Sequence, residues 1–120
     1  YEHDFMTTKI ISLVENSFNV SFHDMKSTKR TKNIVEARHI GMYLLKKHLN
    51  KTYEDIRIQF KRADHTTVLH AYKKMEKQAA TNSKLLDIER IILQLTTHKK
   101  LKKDIDIDLT DPKKLFYTTH

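Results

Sequence analysis

The sequence of 120 residues contains no cysteine and no tryptophan, a single glycine and a single proline. Without cysteine there is no disulfide framework and no thiolate zinc site, so the fold must stand on packing alone; a reducing cytoplasm fits that usage. One glycine, Gly41, excludes the glycine-rich loops that bring backbone N–H groups against nucleotide phosphates. The one proline, Pro112, lies near the C-terminus, so long helices are permitted before it. No apolar run approaches the roughly 18 residues that cross a bilayer, and no apolar leader with a small-residue cleavage site opens the chain. The first residue is Tyr1 rather than Met, so a piece of a longer protein is expected.

What the chain has in excess is positive charge. Lys+Arg 23 against Asp+Glu 15 gives a net +8, and 38% hydrophobic residues supply one modest core, hence one domain. The charge is unevenly placed. Residues 1–25 hold Lys9 against Glu2, Asp4, Glu15 and Asp24, a net −3, whereas residues 26–47 hold seven cations against Glu36 alone, a net +6. Lys26-Ser27-Thr28-Lys29-Arg30-Thr31-Lys32-Asn33 has no apolar side chain and reads as a basic, flexible loop.

Around that loop the apolar spacing is helical. Ile10, Ile11, Val14 and Phe18 predict a first helix over about 7–18, with Thr7 or Thr8 as N-cap and Asn19 as its interruption. Val20, Phe22 and Met25 predict a short hydrophobic turn capped by Ser21. Ile34, Ala37, Ile40, Gly41, Leu44, Leu45 and His48 predict a helix to about Leu49, with Gly41 admitting a close neighbour. Thr52-x-x-Asp55 is a capping-box variant opening a short helix that carries Ile56 and Phe60. Lys61-Arg62-Ala63 supplies a turn. Asp64 stands where an N-cap belongs, and Val68, Ala71, Tyr72, Met75 and Ala79 carry the next helix to about residue 80. Asn82 or Ser83 caps a last helix with Leu85, Ile88, Ile92 and Leu95 on one side. Beyond Lys99–Lys103, the alternation Asp104-Ile105-Asp106-Ile107-Asp108-Leu109 suits a strand that has no partner, so a loosely ordered tail is expected. The reading is all-α and compact, divided into a linker-helix region 1–19, a helix-turn-helix domain 20–97 and an unassigned tail 98–120.

A short capped helix, a turn of three or four residues and a longer helix have the anatomy of a helix-turn-helix. The longer helix opens with Asp64-His65-Thr66-Thr67: a carboxylate, an imidazole and two hydroxyls at the end that meets base edges. Each has a bland alternative. Asp64 serves as a cap, the threonines as ordinary first-turn residues, and any one lysine as a solvated charge. The cluster Lys29, Arg30 and Lys32 within a +6 segment favours contact with a polyanion, along the backbone or in the minor groove.

Asp64–Tyr72 reads DHTTVLHAY and Lys29–Arg38 reads KRTKNIVEAR, and together they closely resemble the C-terminal DNA-binding domain of the bacterial chromosomal replication initiator DnaA. The resemblance runs from about Thr7 to Leu95. It implies an all-helical domain that binds double-stranded DnaA boxes at the replication origin, in a bacterial cytoplasm in association with the nucleoid. By matching position it implies base contacts at Arg30 in the minor groove and at Asp64, His65, Thr66 and Leu69 in the major groove. Phosphate contacts are implied at Lys29, Lys32, Arg38, His39, Lys46, Asn50, Thr67, His70 and Lys74. The first helix resembles a linker to an ATP-binding module. ATP is expected only in that module and no cofactor in this chain; the partners are origin DNA and the rest of the initiator, and no catalytic activity is expected here.

Three departures stand out. Lys61-Arg62-Ala63 replaces the usual Gly-Gly-Arg, His39 stands where glutamine is common, and Tyr53-Glu54 stands where a leucine-proline pair is common. A His39 contact then depends on protonation, and Glu54 repels the DNA backbone unless it points away.

Other classes are weaker. His65 and His70 face different sides of a helix and no His-x-x-x-His pair occurs, so metal binding is not expected. No nucleophile motif is present. Tyr43, Tyr72, Phe18 and Phe60 fall on apolar faces and read as core rather than a base-stacking platform. The competing class is a basic amphipathic module for an acidic phospholipid surface or a partner protein, using the apolar face of the first helix.

Overall fold

The computed structural model describes the backbone of residues 2–109 and the side chains of residues 5–96. Its elements are six helices, with no strand among the described residues: α1 (Glu2–Phe18), α2 (Phe22–Lys26), α3 (Lys32–Leu49), α4 (Tyr53–Gln59), α5 (His65–Gln78) and α6 (Ser83–Leu109). The chain divides into two compact units, Tyr1–Ile88 and Glu89–His120. The first carries α1 to α5 and the opening of α6; the second carries the remainder of α6.

Side-chain and backbone caps fix most boundaries. Asn19 takes a left-handed conformation, φ 54, which a short amide side chain tolerates and which stops α1. Ser21 accepts the Asp24 N–H at 3.1 Å and opens α2, Thr52 accepts the Asp55 N–H at 3.0 Å and opens α4, and Asn82 accepts the Leu85 N–H at 3.1 Å ahead of α6. Asn50, left-handed at φ 53, ends α3.

In the first unit α3 is central and packs against α1, α2, α4 and α5. Its Ala37, Ile40, Met42, Leu44 and Leu45 are fully buried, as are Ile10 and Val14 of α1, Ile56 of α4 and Val68 of α5. At Gly41 the packing is close: an added Cβ would stand 3.0 Å from Cζ of Phe60. The Phe60 ring then meets Phe22 edge-on, with centroids 5.3 Å apart. Phe18, Phe60 and Tyr43 are buried, as expected of core aromatics, while Tyr72 is half-buried against Tyr43 with centroids 5.1 Å apart.

Several expectations are corrected. Helix α1 begins at Glu2, so Thr7 and Thr8 lie within it rather than capping it, and Thr7 is buried. The α1 face suggested for lipid is spent on the core through Ile10, Ile11, Val14 and Phe18. The Asp104–Leu109 alternation is helical: with no strand to pair with, extending a helix already nucleated adds one hydrogen bond per residue. The rest of the expected tail, residues 110–120, and the side chains of 97–120 lie outside the described residues. Among the described residues, no helix is long and apolar enough to cross a membrane.

Candidate nucleic-acid interface

Helices α4 and α5 meet through a turn at Phe60–Ala63, and the N-terminal end of α5 projects from it. Asp64 is extended, φ −142 and ψ 139, and its Oδ1 accepts the Thr66 N–H at 2.9 Å. That hydrogen bond is the chief reason its carboxyl lies below the ordinary carboxylate range. His65 Nδ1 lies 3.4 Å from the same oxygen, and the two side chains are 58% and 60% exposed. Thr66, Thr67 and His70 are exposed as well, and Leu69 is half-buried. The cap and the outward-facing polar end thus coexist in one residue: one carboxylate oxygen serves the helix while the side chain stays in solvent.

The basic loop is not free. Arg38, on α3, is 5% exposed and turned beneath it. Its Nε donates to the Met25 carbonyl at 2.6 Å, and its Nη2 donates to the carbonyls of Ser27 at 3.0 Å and Lys29 at 2.9 Å. Ser27 Oγ accepts the Lys29 N–H at 3.2 Å, and Lys29 Nζ pairs with Asp24 Oδ1 at 3.1 Å, which holds the Asp24 carboxyl below its usual range. The expected flexible segment is therefore a shorter, hydrogen-bonded loop of residues 27–31. Lys32 belongs to the first turn of α3 rather than to the loop. Arg38 is occupied by loop carbonyls, which a local reading of its charge does not foresee.

Loop and recognition helix flank the same grooves. One of about 470 Å³ is lined by Thr28, Arg30, Arg38, His39, Arg62 and Thr67, among others. A second, of about 340 Å³, is bordered by Arg30, Lys32, His39 and Lys74, and a third, of about 320 Å³, by Thr66, Thr67, His70 and Lys74 with His39 again. His39 joins all three. Burial, then the charges of Lys74 and Arg38, push its imidazole down to about 4, so it is neutral at pH 7. Its Nδ1 is buried without a hydrogen-bond partner.

Eight sequence-predicted residues are thus brought to one side: Arg30, Lys32, Arg38, His39, Thr66, Thr67, His70 and Lys74. Asp64 and His65 stand at the head of the same helix. Lys46 and Asn50 lie at the other end of α3 and border none of these grooves; the Lys46 ammonium sits 4.7 Å over the Tyr53 ring. Glu54 is paired with Arg57, whose Nε lies 2.9 Å from Oε1, and this bond is the main cause of its lowered carboxyl pKa. Its charge is compensated within α4. Sequence reasoning missed Arg57, whose Nη1 donates to the Arg62 carbonyl at 3.1 Å, and it missed Arg62. The signal for Arg62 was present as a departure: a long cation where the resembled pattern has glycine.

The family model for the bacterial DnaA protein helix-turn-helix matches residues 7–75, from within α1 to near the end of α5. The chain belongs to that family. It is a DNA-binding domain of the DnaA type and not a catalytic one. Similar relatives are the chromosomal replication initiator proteins DnaA of Ehrlichia ruminantium strain Gardel, 43% identical over 74 residues, of Bdellovibrio bacteriovorus, 44% over 82 residues, and of Mycoplasma capricolum, 36% over 99 residues. These matches cover 62%, 68% and 82% of this chain but only 16%, 17% and 18% of the relatives. The chain thus spans under a fifth of their length.

Proposed function

We propose that this domain binds double-stranded DNA sequence-specifically at DnaA boxes of a bacterial replication origin, in the cytoplasm, as the DNA-reading part of an initiator. The head of α5 enters the major groove, where Asp64, His65, Thr66 and Leu69 meet base edges: the carboxylate accepts from an exocyclic amine, His65 and Thr66 exchange hydrogen bonds, and Leu69 meets a thymine methyl. Arg30, exposed on the loop, reaches the minor groove. Lys29, Lys32, Thr67, His70 and Lys74 hold phosphates, and Lys46 and Asn50 extend that contact along α3. His39, neutral at pH 7, contributes a hydrogen bond rather than an ion pair. Arg38 acts by shaping the loop. ATP dependence belongs to other parts of the initiator.

The observation that carries this reading is the joint lining of one open groove by Arg30 and Thr67, from loop and recognition helix respectively. The experiment enriches duplexes from a randomised pool on the immobilised chain, then compares the enriched duplex with a scrambled one at two salt concentrations. A single motif is expected, bound at least about a thousandfold more tightly than its scramble, with both affinities falling as salt rises. Equal binding of the two duplexes at both concentrations would remove the site-specific reading.

A further inference from the structure

Two arginines converge beneath the basic loop, and only one belongs to the helix that carries the loop. Arg62 sits in the turn between α4 and α5, two residues before the Asp64 cap. Its Nη2 donates to the carbonyls of Lys26 at 2.9 Å and Ser27 at 2.6 Å, 36 and 35 residues away, and its Nε donates to the Phe60 carbonyl at 3.0 Å. The Ser27 carbonyl therefore accepts from both Arg62 and Arg38. Desolvation lowers both guanidinium pKa values, and at Arg38 the charges of Arg62 and Arg30 add to it. Such a pairing persists because the loop carbonyls supply compensating acceptors in a geometry that a forked guanidinium fits and a lysine ammonium does not.

We propose that Arg62 is a positioning residue: by tying the turn that launches the recognition helix to the base of the basic loop, it sets the distance between the two DNA-contacting elements and so delivers Arg30 to the minor groove while Asp64 and His65 engage the major groove. This deepens the DNA-reading function above and rests on it. Arg57, by donating to the Arg62 carbonyl, ties the same turn to α4. The turn is thereby fixed between the helix before it and the loop more than 30 residues upstream. In the resembled pattern the same position is glycine, which has no side chain to make such a link.

The test is a set of double-mutant cycles on the full chain, read as affinity for the enriched and the scrambled duplex, with a thermal melt of each variant in the absence of DNA. Arg30→Ala in the wild type is expected to weaken the enriched duplex about tenfold. Arg62→Ala is expected to cause a similar loss, with the Arg30→Ala, Arg62→Ala double variant little weaker than either single one. His65→Ala is expected to cost the same factor in both backgrounds. Arg62→Lys keeps the charge and loses the fork; it is expected to behave like Arg62→Ala, and it carries the cycle if Arg62→Ala fails to fold at the assay temperature. Full additivity of Arg30→Ala with either Arg62 variant overturns the proposal, and so does wild-type affinity for Arg62→Lys, which would make Arg62 a simple cation near phosphate. If the wild type does not distinguish the two duplexes at all, the DNA-reading function fails first and the positioning role falls with it.

Discussion

The two ends of the interface are ordered by opposite means. At the head of α5 the order is local: Asp64 caps Thr66, two residues on, and the polar quartet needs nothing from elsewhere to point outward. At the basic loop and the end of α2 that leads into it the order is remote, since the carbonyls of Met25, Ser27 and Lys29 are held by Arg38 from α3, and those of Lys26 and Ser27 by Arg62. A cap is written in adjacent residues. A guanidinium under a loop is written in the fold.

The sharpest way to break this contrast is to remove one support from each end. Arg38→Ala strips donors from buried carbonyls and is expected to lower stability by roughly 3 kcal/mol, whereas Asp64→Ala removes a helix cap and is expected to cost about 1 kcal/mol; urea unfolding of both measures the difference. Equal costs would show that the loop is no more dependent on distant residues than the helix end. On the binding side, His65→Ala is expected to weaken the enriched duplex by roughly 1–3 kcal/mol while leaving the scrambled duplex almost unchanged. Loss on both duplexes alike would make His65 a backbone contact.

The groove between the two ends supplies a pH test. His39 is held near 4 in the folded protein against an ordinary 6.5, so the unfolded chain binds the extra proton first as pH falls. Its contribution is complete above about pH 6.5 and is lost as pH drops toward 4. The expected loss is about 1–2 kcal/mol, its partial exposure damping the full value. His39→Gln should flatten that part of the stability profile; an identical profile in the two proteins would contradict a buried neutral imidazole. The smallest effect is expected in the turn. Lys61 has φ 54, a conformation that costs a side chain with a Cβ and suits glycine. Lys61→Gly is expected to stabilise the domain by about 1 kcal/mol, seen as a raised denaturation midpoint with an unchanged slope.

The same division separates the features legible in the sequence from those that were not. Ser21, Thr52, Asp64 and Asn82 are short polar side chains placed before apolar periodicity, and each caps where that pattern puts it. Gly41 admits a close neighbour, as expected, and the neighbour is the Phe60 ring. The misplaced start of α1 has a local cause too: Thr7 and Thr8 mimic a cap, yet Thr7 is buried within the helix. The alternation at Asp104–Leu109 suits a strand but has none to pair with, and its backbone continues α6 instead. Arg38 was legible as a charge but not as a buried donor set, because its partners lie 9 to 14 residues earlier, in α2 and the loop that follows it.

The joint action of both ends on one duplex is tested most directly by following backbone amide resonances of the labelled chain as the enriched duplex is added. Simultaneous shifts are expected at Asp64–Thr67 and at Lys29–Lys32, with the scrambled duplex moving the loop amides and leaving the head of α5 nearly unchanged. Saturation by the enriched duplex with the Asp64–Thr67 amides unmoved would contradict recognition by the head of α5.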